Sequence, residues 1–314
     1  SRHFRHFFMI FRIGTRASRL ALAQSEWVKK AVQTRHPNVR VELTRITTKG
    51  DKILDAPLSK VGGKGLFVKE IEEALLRKDV DLAVHSMKDV PAELQKGLKI
   101  SVYPKREDPR DAFLSKKFCT VKELPQGASV GTSSLRRSAQ LLHLRPDLHI
   151  VPLRGNVETR LRKLDSGDLP AIVLAAAGLN RLGLAHRITA FLAPETVLPA
   201  IGQGVLGLEM REGDQDTLDL ISFLNDPDSE LAARAERSFL KTLEGGCQVP
   251  VAGYARLEGD FILLHGMVAE LDGSRVLRQE IRGPVDKPET LGITLAERLL
   301  SAGADRILEK IYKK

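Results

Sequence analysis

The sequence predicts an α/β protein in which two lobes of alternating strands and helices face a cleft and a small α+β unit follows. Three observations carry this expectation. From Ile10 onward, short apolar runs alternate with amphipathic segments of helical period. A second set with the same rhythm begins after the charged connector KREDPRD at 105–111. The stretch LPAIGQGVLGLEMR at 198–211 then carries Pro199 and three glycines ahead of a strand, which is how a chain returns through a hinge to an earlier sheet.

In the first lobe FRIGT (11–15) reads as a strand, SRLALAQSEWVKKAVQTR (18–35) as a helix and VRVELTRIT (39–47) as the next strand. A glycine loop feeds a helix in GGKGLFVKEIEEALLRKDV (62–80); DLAVHS (81–86) and LKISVYP (98–104) are further strands. The second lobe repeats the pattern as ASVGT, SLRRSAQLLHLR, LHIVPLRG, NVETRLRKLD and AIVLA, between residues 128 and 175. Beyond Pro227 come the helical DSELAARAERSFLKTLE, a cysteine-bearing turn, hairpin strands around LEGD and LDGS, and a terminal helix to Lys314. The expected units are residues 9–104 with 205–222, residues 110–198, and residues 227–314.

An apolar share of 42% suits a globular protein with a sizeable core. The longest smooth apolar run, AIVLAAAGL from Ala171, is about half of what a membrane span needs, so no membrane association is expected. Residues 1–8 read as a leader, with the native start at Met9. Two cysteines in 314 residues suit a reducing compartment, and without a recognisable signal peptide the expected setting is cytoplasmic. Cys119 and Cys247 are far apart and lack the short ligand spacing of a structural metal site, so no metal is expected.

The net charge of +9 asks for an anionic partner. Arg136, Arg137, Arg145, Arg154, Arg160, Arg162 and Lys163 face only Asp147, Glu158 and Asp165 between residues 130 and 165. Several stand beside Gly, Ser or Thr where strands turn into helices, and backbone N–H groups also gather anions there. Aromatic content of 5% offers little for stacking single-stranded nucleic acid, so nucleic acid is not the expected partner and a small polycarboxylate is.

LAVHSMKDVP puts His85, Ser86, Lys88 and Asp89 where a parallel strand should end, the side on which open α/β sheets bind ligands. A loop-capping carboxylate is the plain alternative for Asp89; beside Lys88 it would also stay ionised, able to stabilise a cation or accept a proton. His85 reads as structural. VGGKGLF lacks the hydroxyl residue of a phosphate loop, which argues against a nucleotide, and leaves Lys64 either in a plain turn or as a mobile anion contact or lid. In GTSSLRRSAQ, Thr132, Ser133 and Ser134 can cap a helix whose first turn carries Arg136 and Arg137; cations there oppose the helix dipole unless an anion is present. Arg154 and Arg160 in LRGNVETR, and Arg16 and Ser18 in GTRAS, repeat the arrangement. Guanidinium forks pair with carboxylates bidentately. Arg145 reads as a solvated face. In LEGGCQVP, Cys247 is either a small buried hydrophobe or a reactive thiol on a turn stiffened by Gly245, Gly246 and Pro250.

The segments GTRAS, VGGKGLFVKE, HSMKDVP, REDPRDAF, GTSSLRR, LRGNVETRL, AAAGLNRLG, PAIGQG and LEGGCQVP, in this order and spacing, resemble the porphobilinogen deaminase (hydroxymethylbilane synthase) family from about Ile10 to the C-terminus. The resemblance implies two lobes like those of periplasmic binding proteins with a small third domain. It further implies a dipyrromethane cofactor held by a thioether to Cys247, with Asp89 as the catalytic carboxylate. Lys88, Ser134, Arg136, Arg137 and Arg154 would hold the cofactor's acetate and propionate groups, with Ser86, Thr132 and Ser133 assigned to the same site. Arg16, Ser18, Arg154 and Arg160 would receive the incoming porphobilinogen, and the expected state is a monomer. The competing reading is a non-catalytic two-lobed receptor for a polycarboxylate anion, which would need neither Asp89 nor the cysteine turn.

Overall fold

The computed structural model describes residues 9–52, 65–243 and 249–313. Residues 1–8, Lys64 and Cys247 lie outside them. Two five-stranded sheets and one three-stranded sheet organise the described residues. The first sheet holds β1 (Met9–Thr15), β2 (Val39–Arg45), β3 (Leu82–Ser86), β4 (Leu98–Val102) and β10 (Leu206–Arg211), in the order β2-β1-β3-β10-β4. Strands β1, β2 and β3 are parallel, while β10 runs antiparallel to both β3 and β4. Helices α1 (Arg19–Arg35), the single turn α2 (Lys49–Lys52) and α3 (Lys69–Leu76) accompany it. Phe11, Ile13, Val28, Leu82 and Leu208 meet in its core.

The second sheet contains β5 (Asp111–Ser115), β6 (Ser129–Gly131), β7 (His149–Val151), β8 (Ala171–Ala175) and β9 (Ala190–Leu192), in the order β7-β6-β8-β5-β9. Helices α4 (Leu135–Leu144), α5 (Val157–Asp165) and α6 (Ala176–Arg181) follow β6, β7 and β8. The sequence reading missed β5 and β9, both antiparallel to their neighbours. Strand β5 follows directly on the charged connector, where the charges mask a fully buried Ala-Phe-Leu run. Ser18, Ser134 and Asn156 cap α1, α4 and α5 by accepting the backbone N–H of Ala21, Arg137 and Thr159. All three helices therefore begin where a parallel strand has just ended.

The chain crosses between the lobes twice, at 103–110 and at 197–205. The return crossing passes so close to the Asp89 turn that only glycine fits. Gly202 has φ +74°, and a Cβ there would stand 2.9 Å from the Met87 Cβ. Gly204, at φ +83°, would put a Cβ 2.5 Å from the Glu107 carbonyl oxygen. After α7 (Gln215–Ile221), helix α8 (Pro227–Thr242) starts with Asp226 as cap and proline in its first turn. The meander β11 (Val251–Glu258), β12 (Phe261–Ala269) and β13 (Val276–Pro284) then packs with α8 and α9 (Pro288–Leu299) around Phe239, Leu264 and Leu295. The terminal helix is not continuous as expected: Gly303, at φ 114°, interrupts it before α10 (Asp305–Tyr312).

Beneath the first sheet's site end lies a buried group of three titratable side chains. His85 Nε2 is 2.6 Å from Glu209 Oε2, across the β3–β10 pairing. Glu209 Oε1 has no donor among the other described side chains, and the adjacent Glu72, on α3, is itself 5% exposed. Burial and the Glu209 charge push the Glu72 carboxyl up to about 7, so below that pH its protonated form is available as a donor beside Glu209. Because the folded protein holds a proton that the unfolded chain releases above its ordinary value of 4.5, stability should fall as pH rises from there to about 7 and level off above. Glu72→Gln should flatten that slope. Urea midpoints measured through this pH range check it, and an unchanged slope would remove Glu72 as its source.

Candidate active site

Strand β3 ends at Ser86 and passes into a single 3-10 turn, Met87–Asp89. Buried Met87 roots the turn, its N–H bonded to the Val205 carbonyl at 2.9 Å, while Asp89 is exposed. The Ser86 hydroxyl accepts from the Gln24 amide at 3.0 Å, tying the strand end to α1.

Across the cleft, the hydroxyls of the 132–134 turn are spent on backbone. Thr132 Oγ1 accepts from the Ser134 N–H, Ser133 Oγ bridges the N–H and carbonyl of Leu153, and Ser134 caps α4. The turn thereby fixes the backbone just ahead of Arg154 and aims the first turn of α4.

Arg136 and Arg137 in that first turn are both 6% exposed. The anion that their position demands is supplied from inside the protein. Arg136 reaches both oxygens of Asp111, at 2.6 and 3.2 Å, and also bonds the Leu198 carbonyl. Arg137 places Nε 2.9 Å and Nη2 2.8 Å from Asp111 Oδ1. Gln203, from the return crossing, donates to the same oxygen at 3.0 Å and to the Pro109 carbonyl at 2.7 Å. Burial by itself would raise the Asp111 carboxyl; the two guanidiniums outweigh it and hold the group well below the carboxylate range. Arg136 is thus directed inward, onto Asp111 and the crossing.

Further cations share the field of Asp111, and Arg160 donates from Nε to the Gly155 carbonyl at 2.9 Å. The Lys88 ammonium is pushed down to about 8, first by burial and then by Arg137 and Arg136, with Asp89 and Asp111 opposing. Arg160 is pushed down to about 10 by burial together with the charges of Arg137 and Arg154, against the pull of Asp89. Five cations (Lys88, Arg136, Arg137, Arg154 and Arg160) therefore share one field with two carboxylates, Asp89 and Asp111. Such an excess is relieved by a ligand carrying several carboxylates, and donors of this kind suit acetate and propionate groups.

Other residues singled out in the sequence have partners of their own. Arg16 donates from Nε and Nη2 to Asp51 Oδ1, at 3.0 and 2.5 Å, and stacks 4.3 Å from the Phe67 ring centre. Ser18 is the α1 cap; its neighbour Arg19 reaches across the cleft to Glu158 at 3.4 Å. Arg145 is not a solvated arginine. It pairs with Asp147 and donates to the carbonyls of Val121, Lys122, Leu124 and Pro125, pinning the loop ahead of β6. Asp111, Gln203 and Gln24 were missed by sequence reasoning. The one available signal was a lone Asp opening an apolar run, directly after a basic connector.

Residues 11–219 match the family model described as "Porphobilinogen deaminase, dipyromethane cofactor binding domain", and residues 230–301 match "Porphobilinogen deaminase, C-terminal domain". The chain belongs to the porphobilinogen deaminase family. It is 60% identical to the porphobilinogen deaminase of Syntrophotalea carbinolica over 95% of this chain and 94% of that one. With its namesake from Geobacter metallireducens the identity is 56%, over 96% of this chain and 95% of that one. A crystal structure of the methionine-binding protein MetQ aligns with a TM-score of 0.44 at 17% identity, covering 68% of this chain and 88% of that one. The family assignment spans both lobes and the third unit, and its first model covers every member of the cationic cluster.

The lowered Lys88 has a measurable consequence. Lys88 is charged below about 8 and neutral above, so the affinity of cofactor-free protein for a tetracarboxylic dipyrromethane should be full below that pH and weaken as pH rises through it. Lys88→Gln should bind more weakly below that pH, approach wild type above it and so lose the step. Calorimetric titration on both sides of the transition reads this, and an undiminished step in the variant would assign it to another group.

Proposed function

We propose that this chain is a hydroxymethylbilane synthase of tetrapyrrole biosynthesis. It joins four molecules of porphobilinogen head to tail on a dipyrromethane primer, with release of ammonia at each addition. The observation that carries the residue assignments is the cationic cluster of Lys88, Arg137, Arg154 and Arg160 gathered about one exposed carboxylate, Asp89. Cys247 is the proposed point of attachment. Its segment follows α8 directly, and the flanking Leu243 and Val249 are 3% and 4% exposed in the third unit's core, so the tether would start from firm ground on both sides.

When bound, the dipyrromethane supplies the electron-rich free carbon of its terminal pyrrole as the nucleophile. The protein's part is position and charge. Arg137 and Arg154, with Lys88, hold carboxylates of the primer, while Arg160 and Arg154 hold those of the incoming porphobilinogen. As the aminomethyl C–N bond breaks, ammonia leaves and positive charge spreads over the porphobilinogen ring. The Asp89 carboxylate, aimed into that region by the Met87–Asp89 turn, stabilises the charge and accepts a pyrrole N–H. The proton released on coupling would pass to the same carboxylate, which would serve each addition in turn. Water finally releases the bilane. Arg16 would contribute once an incoming carboxylate shares or replaces Asp51. Two cysteines in 314 residues support a cytoplasmic setting, and a monomer is the assembly state we assign.

Intact mass of freshly purified protein tests the attachment. Wild type and Cys119→Ala should both carry a dipyrrole, while Cys247→Ala should fold without one; an adduct kept by Cys247→Ala would overturn the tether.

Asp89→Asn tests the chemistry. Turnover should fall by about 100-fold or more, with primer or partly elongated chains still attached by mass, and Asp89→Glu should retain more activity. Near-normal turnover in a folded Asp89→Asn protein would take Asp89 out of the mechanism.

A further inference from the structure

The turn that carries Asp89 is held on its exit side by a residue from a different part of the fold. Arg237, in the third turn of α8, directs its guanidinium at three consecutive backbone carbonyls just beyond Asp89. Nη2 donates to Pro91 O at 2.8 Å and to Ala92 O at 3.3 Å, and Nη1 to Val90 O at 3.4 Å. No carboxylate is within ion-pairing distance of Arg237 among the described residues. Burial lowers its affinity for a proton, with Tyr103 and Glu209 near enough to oppose the shift. A half-buried cation spent on three carbonyls is an expensive way to cover a helix face, since an apolar side chain would fill the same space without desolvating a charge. What the arginine adds is geometry. A planar fork reaching three successive carbonyls fixes the path of the chain as it leaves the 3-10 turn, which an ammonium or an apolar group does not do.

The same stretch of α8 is locked to the crossings. The preceding residue, Glu236, is fully buried and pairs with Arg106 of the first crossing, at 2.5 Å. Its two oxygens also accept the N–H groups of Gly202 at 2.6 Å and Ala255 at 2.8 Å. The Asp89 turn is thus gripped at Met87 by the return crossing and at Val90–Ala92 by α8, with Lys88 and Asp89 between the two grips.

We propose that Arg237 is a positioning residue for the polymerisation: by clamping residues 90–92 to α8 it holds the Asp89 carboxylate in register with the third unit while the chain grows. The proposal rests on the assignment of Asp89 as the catalytic carboxylate.

The experiment is a double-mutant cycle on the cofactor-loaded enzyme with porphobilinogen as substrate, using Arg237→Met, Arg237→Lys, Asp89→Asn and the Arg237→Met/Asp89→Asn combination. Arg237→Met should load the dipyrrole normally by mass, leave KM within about twofold and lower kcat by about 100-fold, the size of loss that a displaced catalytic group brings. Arg237→Lys should recover part of that loss. In the Asp89→Asn background the Arg237→Met change should cost almost nothing further, because the group it positions is already gone. Fully additive losses, a rise in KM without a fall in kcat, or failure of the folded variant to load the primer would each overturn the proposal. Should Arg237→Met not fold, Arg237→Lys carries the same cycle. Normal turnover in Asp89→Asn alone would instead strike at the Asp89 assignment, so the two failures are told apart.

Discussion

The interaction on which the rest of the structure depends is the buried Asp111 carboxylate. It stands at the first residue of β5, immediately after the first crossing, and gathers Arg136 and Arg137 from the first turn of α4 with Gln203 from the return crossing. Three segments far apart in sequence are thereby fixed to one charge. An ionised group with no exposure persists only when it is fully paired, and removing one partner of such a cluster costs about 3–5 kcal/mol. The arrangement also decides the chemistry. Two guanidiniums on one carboxylate leave a net cation inside the protein, and that residual charge, added to Lys88, Arg154 and Arg160, makes the field of the cleft positive.

Glu236 is the counterpart for the third unit. It too is a fully buried carboxylate, and its oxygens join α8 to both crossings and to β11. The two acids are connected through Gln203, whose side chain bonds Asp111 and whose backbone carbonyl accepts from Arg106. Lobes, crossings and helix α8 therefore form one hydrogen-bonded frame. On the proposed mechanism a growing chain would move past Asp89 against this frame, and relative motion of the units would have to exchange these bonds rather than merely stretch them.

Much of this was legible along the chain, and the reason is locality. The hydroxyl run 132–134 announced the cap of α4, helical period announced α1 and α5, and apolar alternation or runs announced the strands that carry Ser86 and Gly131 to the cleft. Lys88, Asp89, Arg137, Arg154 and Arg160 stood out because they follow strand ends, and the structure does bring them into one field. Strand β5 was lost behind the charges before it, and Arg145 was misjudged because four carbonyls from the 121–125 loop are visible only once that loop is folded against it.

By itself, then, the sequence determined the alternation of strands and helices, the places where parallel strands hand over to capped helix N-termini, and the cationic character of the region between them. These rest on periods of 2 and 3.6 residues and on side chains bonding backbone a few residues away, so no distant partner is needed to read them. Tertiary structure alone decided how each charge is employed. Arg136 and Arg137 share Asp111, Arg16 pairs with Asp51, Arg160 donates to the Gly155 carbonyl and Arg237 to three carbonyls beyond Asp89. The identity of a buried charge's partner depends on which segments the crossings bring together, and no local period encodes that.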